Sequence, residues 1–236
     1  MTRYFFSLIL LGVVLFSAAQ DRKIPQPDLP GDLLLDIGLN YWSNDEDTLK
    51  NWGSKSLGIY YNKRYKISNK LSFYPAVGLS FEKYAMKKNY QYANENGNIV
   101  IDSTSAIIKR NKLAVTYLEV PMEFRFHPNG TQSGEGFFIG AGVIGGVRLN
   151  SHTKLKYLQD DVRRKEKLTD NFGLNDIRYG YQIRVGWKNI HFFYKHYLSE
   201  VYGNPQKEVS PSDLQTPNGG LFNPRASTFG INFSGF

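Results

Sequence analysis

The sequence predicts an all-β fold: an eight-stranded antiparallel transmembrane β-barrel with up-and-down connections, preceded by a cleaved signal peptide. Apolar and polar side chains alternate along eight separate segments, which is the pattern of strands that have one apolar face. Long and short connections alternate between these segments, as they do in outer-membrane barrels. After the first twenty residues, no apolar run reaches the ~18 residues that a membrane-spanning helix needs.

The chain begins with the three parts of a secretory signal peptide, which we predict over residues 1–19. Arg3 supplies a positive start, the thirteen residues from Tyr4 to Phe16 carry no charge, and Ser17-Ala18-Ala19 supplies a small-residue cleavage site. An N-terminal membrane helix is the alternative, but a helix of thirteen residues spans only ~20 Å of a ~30 Å hydrocarbon core. Residues 20–31 contain three prolines and are interpreted as an extended periplasmic arm before the barrel domain, residues 32–236.

The first four strands are predicted over residues 33–41, 57–62, 71–82 and 117–126. The third strand shows the alternation clearly, because Val77, Leu79 and Phe81 share one face while Ser80 and Glu82 share the other. The four segments therefore each have an apolar face and a face of small or polar residues.

The last four strands are predicted over residues 137–148, 176–187, 190–198 and 228–234. The fifth is rich in glycine on its polar face, at Gly140, Gly142 and Gly146. The sixth and seventh are joined by little more than Lys188-Asn189, which predicts a tight hairpin.

The longer connections follow the first, third, fifth and seventh strands, at residues 43–55, 84–112, 149–175 and 199–224. In an outer-membrane barrel the long loops face outwards and the short turns face the periplasm, so both chain ends are expected in the periplasm. Within residues 84–112, two extended arms flank the turn sequence Asn94 to Asn98, and we expect the third and fourth strands to continue there as a hairpin.

A lipocalin-like barrel or a sandwich would also alternate, with its apolar face turned inwards. The face opposite the apolar one favours the membrane barrel, because it combines many glycines with charged residues. Small side chains must alternate with large ones inside a narrow barrel, whereas a row of glycines is unusual on a solvent-exposed face.

Charged residues on the inward face predict an ion network that fills the lumen, because unpaired charges in a confined interior are unfavourable. The candidate members are Asp36, Glu82, Glu119, Glu123, Arg125, Arg148, Arg178 and Arg184. Arg64 and Lys195 are interpreted as rim residues exposed to water. An eight-stranded interior is just wide enough for side chains, so a closed lumen is expected.

The sequence offers little for catalysis or for cofactors. It contains no cysteine, which excludes thiol nucleophiles and cysteine-ligated metals. The four histidines, His127, His152, His191 and His196, do not share metal-ligand spacing with carboxylates. No nucleophile elbow or phosphate loop is present. We therefore expect no enzyme activity, no catalytic residue, no cofactor and no bound metal.

The chain resembles the Bacteroidota outer-membrane β-barrel family called PorT-like. The resemblance is carried by Leu71 to Phe81, by Tyr117-Leu-Glu-Val-Pro121, where the family commonly has Tyr-Leu-Glu-Ile/Val-Pro, by Phe138 to Gly142 and by Phe229 to Phe233. It implies an eight-stranded barrel with both ends in the periplasm. One member of that family belongs to the type IX secretion machinery, so a secretion-associated role is one implied alternative.

Three functional hypotheses remain open on the sequence alone. The first is a structural or partner-binding barrel, the second a narrow channel for small solutes, and the third a membrane enzyme acting on lipid, which would need a Ser–His pair at the outer interface. The expected partners are outer-membrane lipid and lipopolysaccharide, with a periplasmic or surface protein as a further candidate.

The net charge of +8 does not indicate nucleic-acid binding, because the basic residues are scattered and the chain is predicted to be exported. One basic cluster, Lys154, Lys156, Arg163, Arg164, Lys165 and Lys167, lies in the predicted loop 149–175. It has two interpretations: a solvated loop, or a contact with anionic lipopolysaccharide.

Overall fold

The computed structural model describes residues 31–43, 49–86, 90–95, 98–103, 107–130, 136–159, 162–203 and 223–235. The predicted signal peptide, and the predicted arm except Gly31, lie outside these residues. Twelve strands and one short 3-10 helix, Asn51–Gly53, are present in the described part. The strands are β1 Asp32–Trp42, β2 Lys55–Asn62, β3 Tyr65–Lys66, β4 Leu71–Ala85, β5 Tyr90–Glu95, β6 Asn98–Ser103, β7 Ile107–Phe126, β8 Phe137–Gln159, β9 Val162–Thr169, β10 Ile177–Trp187, β11 Ile190–Glu200 and β12 Arg225–Ser234.

Eight of these strands close into an antiparallel barrel. Neighbours pair in the order β1, β2, β4, β7, β8, β10, β11 and β12, and β12 pairs back with β1. Each of the eight strands predicted from the sequence corresponds to one of these, and the predicted fold class is confirmed. No helix among the described residues is long and apolar enough to cross a membrane.

Alternate residues on each barrel strand face outwards and inwards, as predicted. Leu79, Val120 and Ile183 are 36%, 43% and 45% exposed, whereas Glu119, between outward neighbours on β7, is completely buried. The barrel therefore has an apolar outer wall and a polar interior, the reverse of a soluble protein.

Three strands continue beyond the barrel on the side of the longer connections. β4, β7 and β8 extend past their predicted ends, and β9 pairs with the extension of β8. The prediction of a loop over residues 149–175 was therefore wrong in large part, because the β8–β9 hairpin occupies most of this segment. Its alternation was hidden because its inward positions, such as Ser151 and Thr153, are small and polar rather than apolar.

The hairpin expected within residues 84–112 is present as β5 and β6, which pair from Tyr90↔Ser103 to Glu95↔Asn98. These two strands form a separate two-stranded sheet rather than continuing β4 and β7 without a break. Residues 87–89, 96–97 and 104–106 of that excursion lie outside the described residues.

A cluster of apolar and aromatic side chains fills the end of the barrel from which these extensions rise. Its members come from barrel strands and from the connections that fold over them: Trp42, Leu49, Tyr84, Met86, Leu113, Val115, Tyr117, Ile144, Phe172, Leu174, Tyr197, Tyr202 and Ala226. Below this cluster the interior becomes charged.

Candidate functional site in the barrel lumen

The inward positions of the barrel strands bring charged side chains together in the lumen. Among the described residues, the buried carboxylates are Asp36, Glu82, Glu119 and Glu123, and the buried lysine and arginine residues are Arg125, Arg178, Arg184 and Lys195. Four acids thus face four bases, and the formal charges balance. Balance is what a confined interior requires, because an uncompensated buried charge is strongly destabilising.

Arg178 of β10 organises the half of the network nearest the apolar cluster. Its Nη2 lies 2.6 Å from Glu119 Oε1 and 2.9 Å from Glu82 Oε1. Tyrosine hydroxyls complete the carboxylates: Tyr84 donates to Glu82 at 2.5 Å, and Tyr197 donates to Glu119 at 2.6 Å. Hydrogen bonds to a charged group are the stronger kind, so this cluster is held firmly.

The Arg178 guanidinium is also enclosed by aromatic rings. Its Cζ lies 3.4 Å from the ring centroid of Tyr117 and 4.1 Å from that of Tyr197. Cation–π attraction of this kind is worth ~2 kcal/mol or more when the pair is removed from water. The arginine is thus held in place both by its carboxylates and by these two aromatic rings.

Asp36 and Glu123 organise the other half of the network. Arg184 joins them, with its Nη1 3.3 Å from Asp36 Oδ1 and its Nε 3.1 Å from Glu123 Oε2. Arg125 Nε lies 2.5 Å from Glu123 Oε1, and Lys195 Nζ lies 2.8 Å from Asp36 Oδ2.

The Tyr60 hydroxyl connects the two halves. It donates to Glu119 Oε2 at 2.5 Å and accepts from Lys195 Nζ at 2.9 Å. A continuous chain of contacts therefore runs from Tyr84, beside the apolar cluster, to Arg125 near the opposite end of the lumen. This chain contains residues of six strands: the two arginines of β10, Arg178 and Arg184, and their direct or indirect partners on β1, β2, β4, β7 and β11.

Glycines on β8 make room for this network, as the sequence suggested. A Cβ atom added to Gly140 would lie 2.6 Å from Glu123 Oε1, and one added to Gly146 would lie 3.0 Å from Glu119 Cγ. The two glutamates thus lie over the bare backbone of the neighbouring strand, where any larger residue would displace them.

Of the eight candidate residues, seven meet in the lumen and Arg148 does not. A β-bulge lies where Thr116↔Asn150 gives way to Tyr117↔Arg148, and Arg148 there ion-pairs with Asp176, whose side chain is 76% exposed. The rim assignment of Lys195 was wrong, since this residue is buried and paired with Asp36. Arg64 is only partly buried and contacts Ser72, in agreement with a rim position.

The network tyrosines and Gln182, which donates to Glu123, were not proposed from the sequence. Their inward parity was the available signal: Tyr60 and Tyr197 alternate with apolar outward residues just as the charged residues do.

A Ser–His pair occurs outside the lumen, on the outer wall. His196 Nδ1 lies 2.7 Å from Ser227 Oγ, and the His196 ring stacks near Tyr194. Ser227 is only 1% exposed, so its hydroxyl lacks the access that a nucleophile needs. Within the described residues, no group of three or more His, Asp or Glu side chains could hold a metal ion.

Comparison with known proteins places the chain among outer-membrane barrels. Residues 36–202 match the family described as outer membrane protein beta-barrel domain. Two crystal structures of Ail, the attachment invasion locus protein of Yersinia pestis, are similar, one of them in complex with the heparin analogue sucrose octasulfate. Each has 12% sequence identity and a TM-score of 0.34, and the match covers 88% of this chain and 100% of Ail. No curated protein sequence matches the chain.

Proposed function

The chain belongs to the outer membrane protein β-barrel domain family, and we propose that it serves there as a structural or partner-binding barrel whose lumen is closed by side chains. The observation that carries the proposal is the continuous, charge-balanced network from Tyr84 to Arg125. An open channel needs inward groups that water and ions can reach, whereas these groups are occupied by one another.

The packing above the network supports the same conclusion. The cavity bounded by Trp42, Tyr84 and Tyr117 has a volume of about 20 Å³, close to what one water molecule requires. At the opposite end, a cavity of about 230 Å³ reaches Arg125 and the rim residue Arg64. The network separates these two spaces.

Planar-bilayer recording tests the closed lumen. We expect the wild-type protein to be silent and Glu123→Ala to conduct, because the change leaves Arg125 and Arg184 without their shared carboxylate. Arg148→Ala is the matched control and should stay silent, since Arg148 lies outside the network. Steady, ion-selective conductance of the wild type would instead support the alternative, a narrow channel for small solutes.

We propose that the signal peptide, residues 1–19, exports the chain through the inner membrane and that the mature protein resides in the outer membrane. Fractionation should recover the mature chain with outer membranes. A closed barrel also has no free strand edge from which to unravel, so gel mobility should change on heating. Recovery as a soluble periplasmic protein would contradict this location.

The finer identity that we propose is the PorT-like barrel of Bacteroidota, suggested by Tyr117 to Pro121. A role without enzyme activity fits the burial of Ser227, and a type IX secretion-associated role is the alternative within this identity. Cross-linking followed by identification of co-purified proteins distinguishes them: secretion components should be recovered only if the barrel serves that machinery. Outer-membrane lipid and lipopolysaccharide are the other proposed partners.

A further inference from the structure

A basic surface lies on the outward side of the sheet extensions. We call it the basic face and define it by Lys83 of β4, Arg110 and Lys112 of β7, Lys154 and Lys156 of β8, and Lys165 and Lys167 of β9. Strand parity assigns these residues to the outward side. On β7 the alternate residues Leu113 and Val115 are buried, and Lys112 lies in the same outward series as Leu118.

Two rows of like charges cross the three neighbouring strands of this face. Arg110 pairs with Lys156, which pairs with Lys165. One step closer to the barrel, Lys112 pairs with Lys154, which pairs with Lys167. Like charges directly opposite one another destabilise a sheet. The repulsion is large enough to lower the pKa of Lys156, chiefly through the charge of Lys165.

The described residues of these strands do not neutralise the basic face with acids of their own. The described outward positions on these strand extensions carry no carboxylate. Glu166 of β9 lies on the opposite side of the hairpin, where its Oε1 accepts a hydrogen bond of 2.5 Å from the Tyr157 hydroxyl. The positive charges are thus concentrated on one surface, and the described part of these strands supplies no carboxylate beside them.

The height of the basic face places it beside lipid headgroups. Leu118 and Leu79 are paired residues of the apolar outer wall, and Lys112 and Arg110 lie six and eight residues further along β7. At ~3.3 Å per residue and a tilt of ~40°, these steps raise the two rows ~15 Å and ~20 Å above Leu118. Four exposed apolar residues of β7, from Val120 to Phe126, lie below Leu118, so Leu118 is at mid-depth or higher in an apolar band that is ~25 Å tall. Both rows therefore lie above the upper edge of that band.

We propose that the basic face binds the phosphate groups of lipopolysaccharide in the outer leaflet. Lysine is a good point-charge partner for phosphate, and two rows on adjacent strands let several ammonium groups approach one phosphate. The bound anions supply the counter-charge that the described positions of the basic face do not provide. This inference rests on the proposed outer-membrane location. It assigns the basic residues predicted in the loop 149–175 to a lateral surface formed by three neighbouring strands.

Binding of lipid A to the refolded full chain in zwitterionic micelles tests the proposal. The variant K154Q/K156Q/K165Q/K167Q removes four charges of the basic face. The matched control K66Q/K70Q removes exposed charges at the other end of the barrel. Because each of these lysines attracts an anionic surface, we expect affinity for lipid A to fall at least about tenfold in the first variant and to stay unchanged in the control.

Two further ligands identify the source of the anion. The first is dephosphorylated lipid A with the same acyl chains. Its affinity for the wild type should be as low as the affinity of intact lipid A for the fourfold variant. Inorganic phosphate should not displace lipid A at comparable concentrations. Equal affinity of wild type and fourfold variant, equal affinity for dephosphorylated lipid, or displacement by free phosphate would each overturn the proposal.

Thermal unfolding in lipid-free micelles separates lost binding from lost folding. The fourfold variant should unfold at the same or a higher temperature than the wild type, because the repulsion across the rows is relieved. A lower unfolding temperature would contradict the repulsive rows on which the proposal depends. Planar-bilayer conductance tests the closed lumen, and fractionation tests the outer-membrane location. A failure of the proposed function would therefore be seen in those two experiments, whereas a failure of this inference would be seen in lipid A binding.

Discussion

The lumen and the basic face are both crowded with charge, but they neutralise it in opposite ways. In the lumen, four acids and four bases are buried and joined through contacts such as Arg178–Glu119. On the basic face, cations such as Lys156 and Lys165 face each other on neighbouring strands. The lumen pairs its own charges, whereas the described strands of the basic face carry no carboxylate on the side of these cations.

The physical reason for the difference is access to water. A buried charge cannot be solvated, so the chain must provide its partner. An exposed charge is solvated and screened within ~8 Å at physiological ionic strength, so the chain can tolerate repulsion there. Charge balance therefore indicates a stabilising role in the lumen, and imbalance indicates an external ligand at the basic face. Four predictions test this contrast, from the largest expected effect to the smallest.

Removing the central base of the lumen should have the largest effect. Arg178→Met leaves the buried Glu82 and Glu119 without their shared cation, which should lower the free energy of unfolding by ~3–5 kcal/mol. Arg148→Met is the matched control, and because its partner Asp176 is exposed, the loss should be ~1 kcal/mol or less. Urea titration of the refolded barrel in lipid vesicles measures both. Similar losses for the two arginines would mean that burial of the carboxylate partner makes no difference to the cost of losing the arginine.

Placing a charge on the apolar outer wall, which belongs neither to the lumen nor to the basic face, should have the next largest effect. Leu79→Arg has neither a carboxylate nor water near mid-depth and should lower the free energy of unfolding in lipid vesicles by ~2–4 kcal/mol. Leu79→Phe keeps the position apolar and serves as the control. If the arginine variant were as stable as the control, the assignment of outward and inward faces would be wrong.

Relieving the repulsion on the basic face should have a smaller effect of the opposite sign. K156Q/K165Q should slightly raise the free energy of unfolding in zwitterionic micelles at low salt. The gain should shrink at high salt, where screening already weakens the repulsion. Chemical denaturation at two salt concentrations tests this, with K66Q/K70Q expected to show no gain. A destabilised K156Q/K165Q would mean that these lysines make favourable contacts within the chain.

The pH dependence of the same row should be the smallest effect. The neighbouring Lys165 charge lowers the pKa of Lys156 below its ordinary 10.5, so the folded protein releases this proton before the unfolded chain does. Stability should therefore rise when the pH is raised from neutral to just below 10.5, and fall again when the pH is returned to neutral. Unfolding of wild type and Lys156→Gln at both pH values isolates this contribution. A rise of equal size in both proteins would assign it to other groups.

The strands and their faces were predictable because alternation is a local property. Val77, Leu79 and Phe81 face outwards in the structure as their spacing indicated. The β8–β9 hairpin was missed because a strand above the membrane need not be apolar on either face. Its alternation of small polar residues with lysines does not resemble the pattern of a membrane-spanning strand.

The members of the lumen site were predictable in kind, but their connections were not. Inward parity identified Glu119 and Arg178 as neighbours of the lumen, yet their contact joins residues 59 positions apart. Tyr60 links the two halves of the network only because barrel closure through β12 and β1 brings Lys195 of β11 within reach of β2. Arg148 has the same inward parity, but the bulge beside it and the exposed Asp176 keep it out of the network.

The sequence by itself determined that this protein is a β-barrel with an apolar outer wall and a charged interior, since side-chain alternation needs only two-residue spacing along one strand. The tertiary structure decided which charges meet. Closure of the barrel set the partners of Arg178 and Arg184, and the pairing of β7, β8 and β9 aligned Arg110, Lys156 and Lys165 in one row. Both outcomes depend on strand register, which fixes contacts between residues that are distant in sequence and that no local pattern specifies.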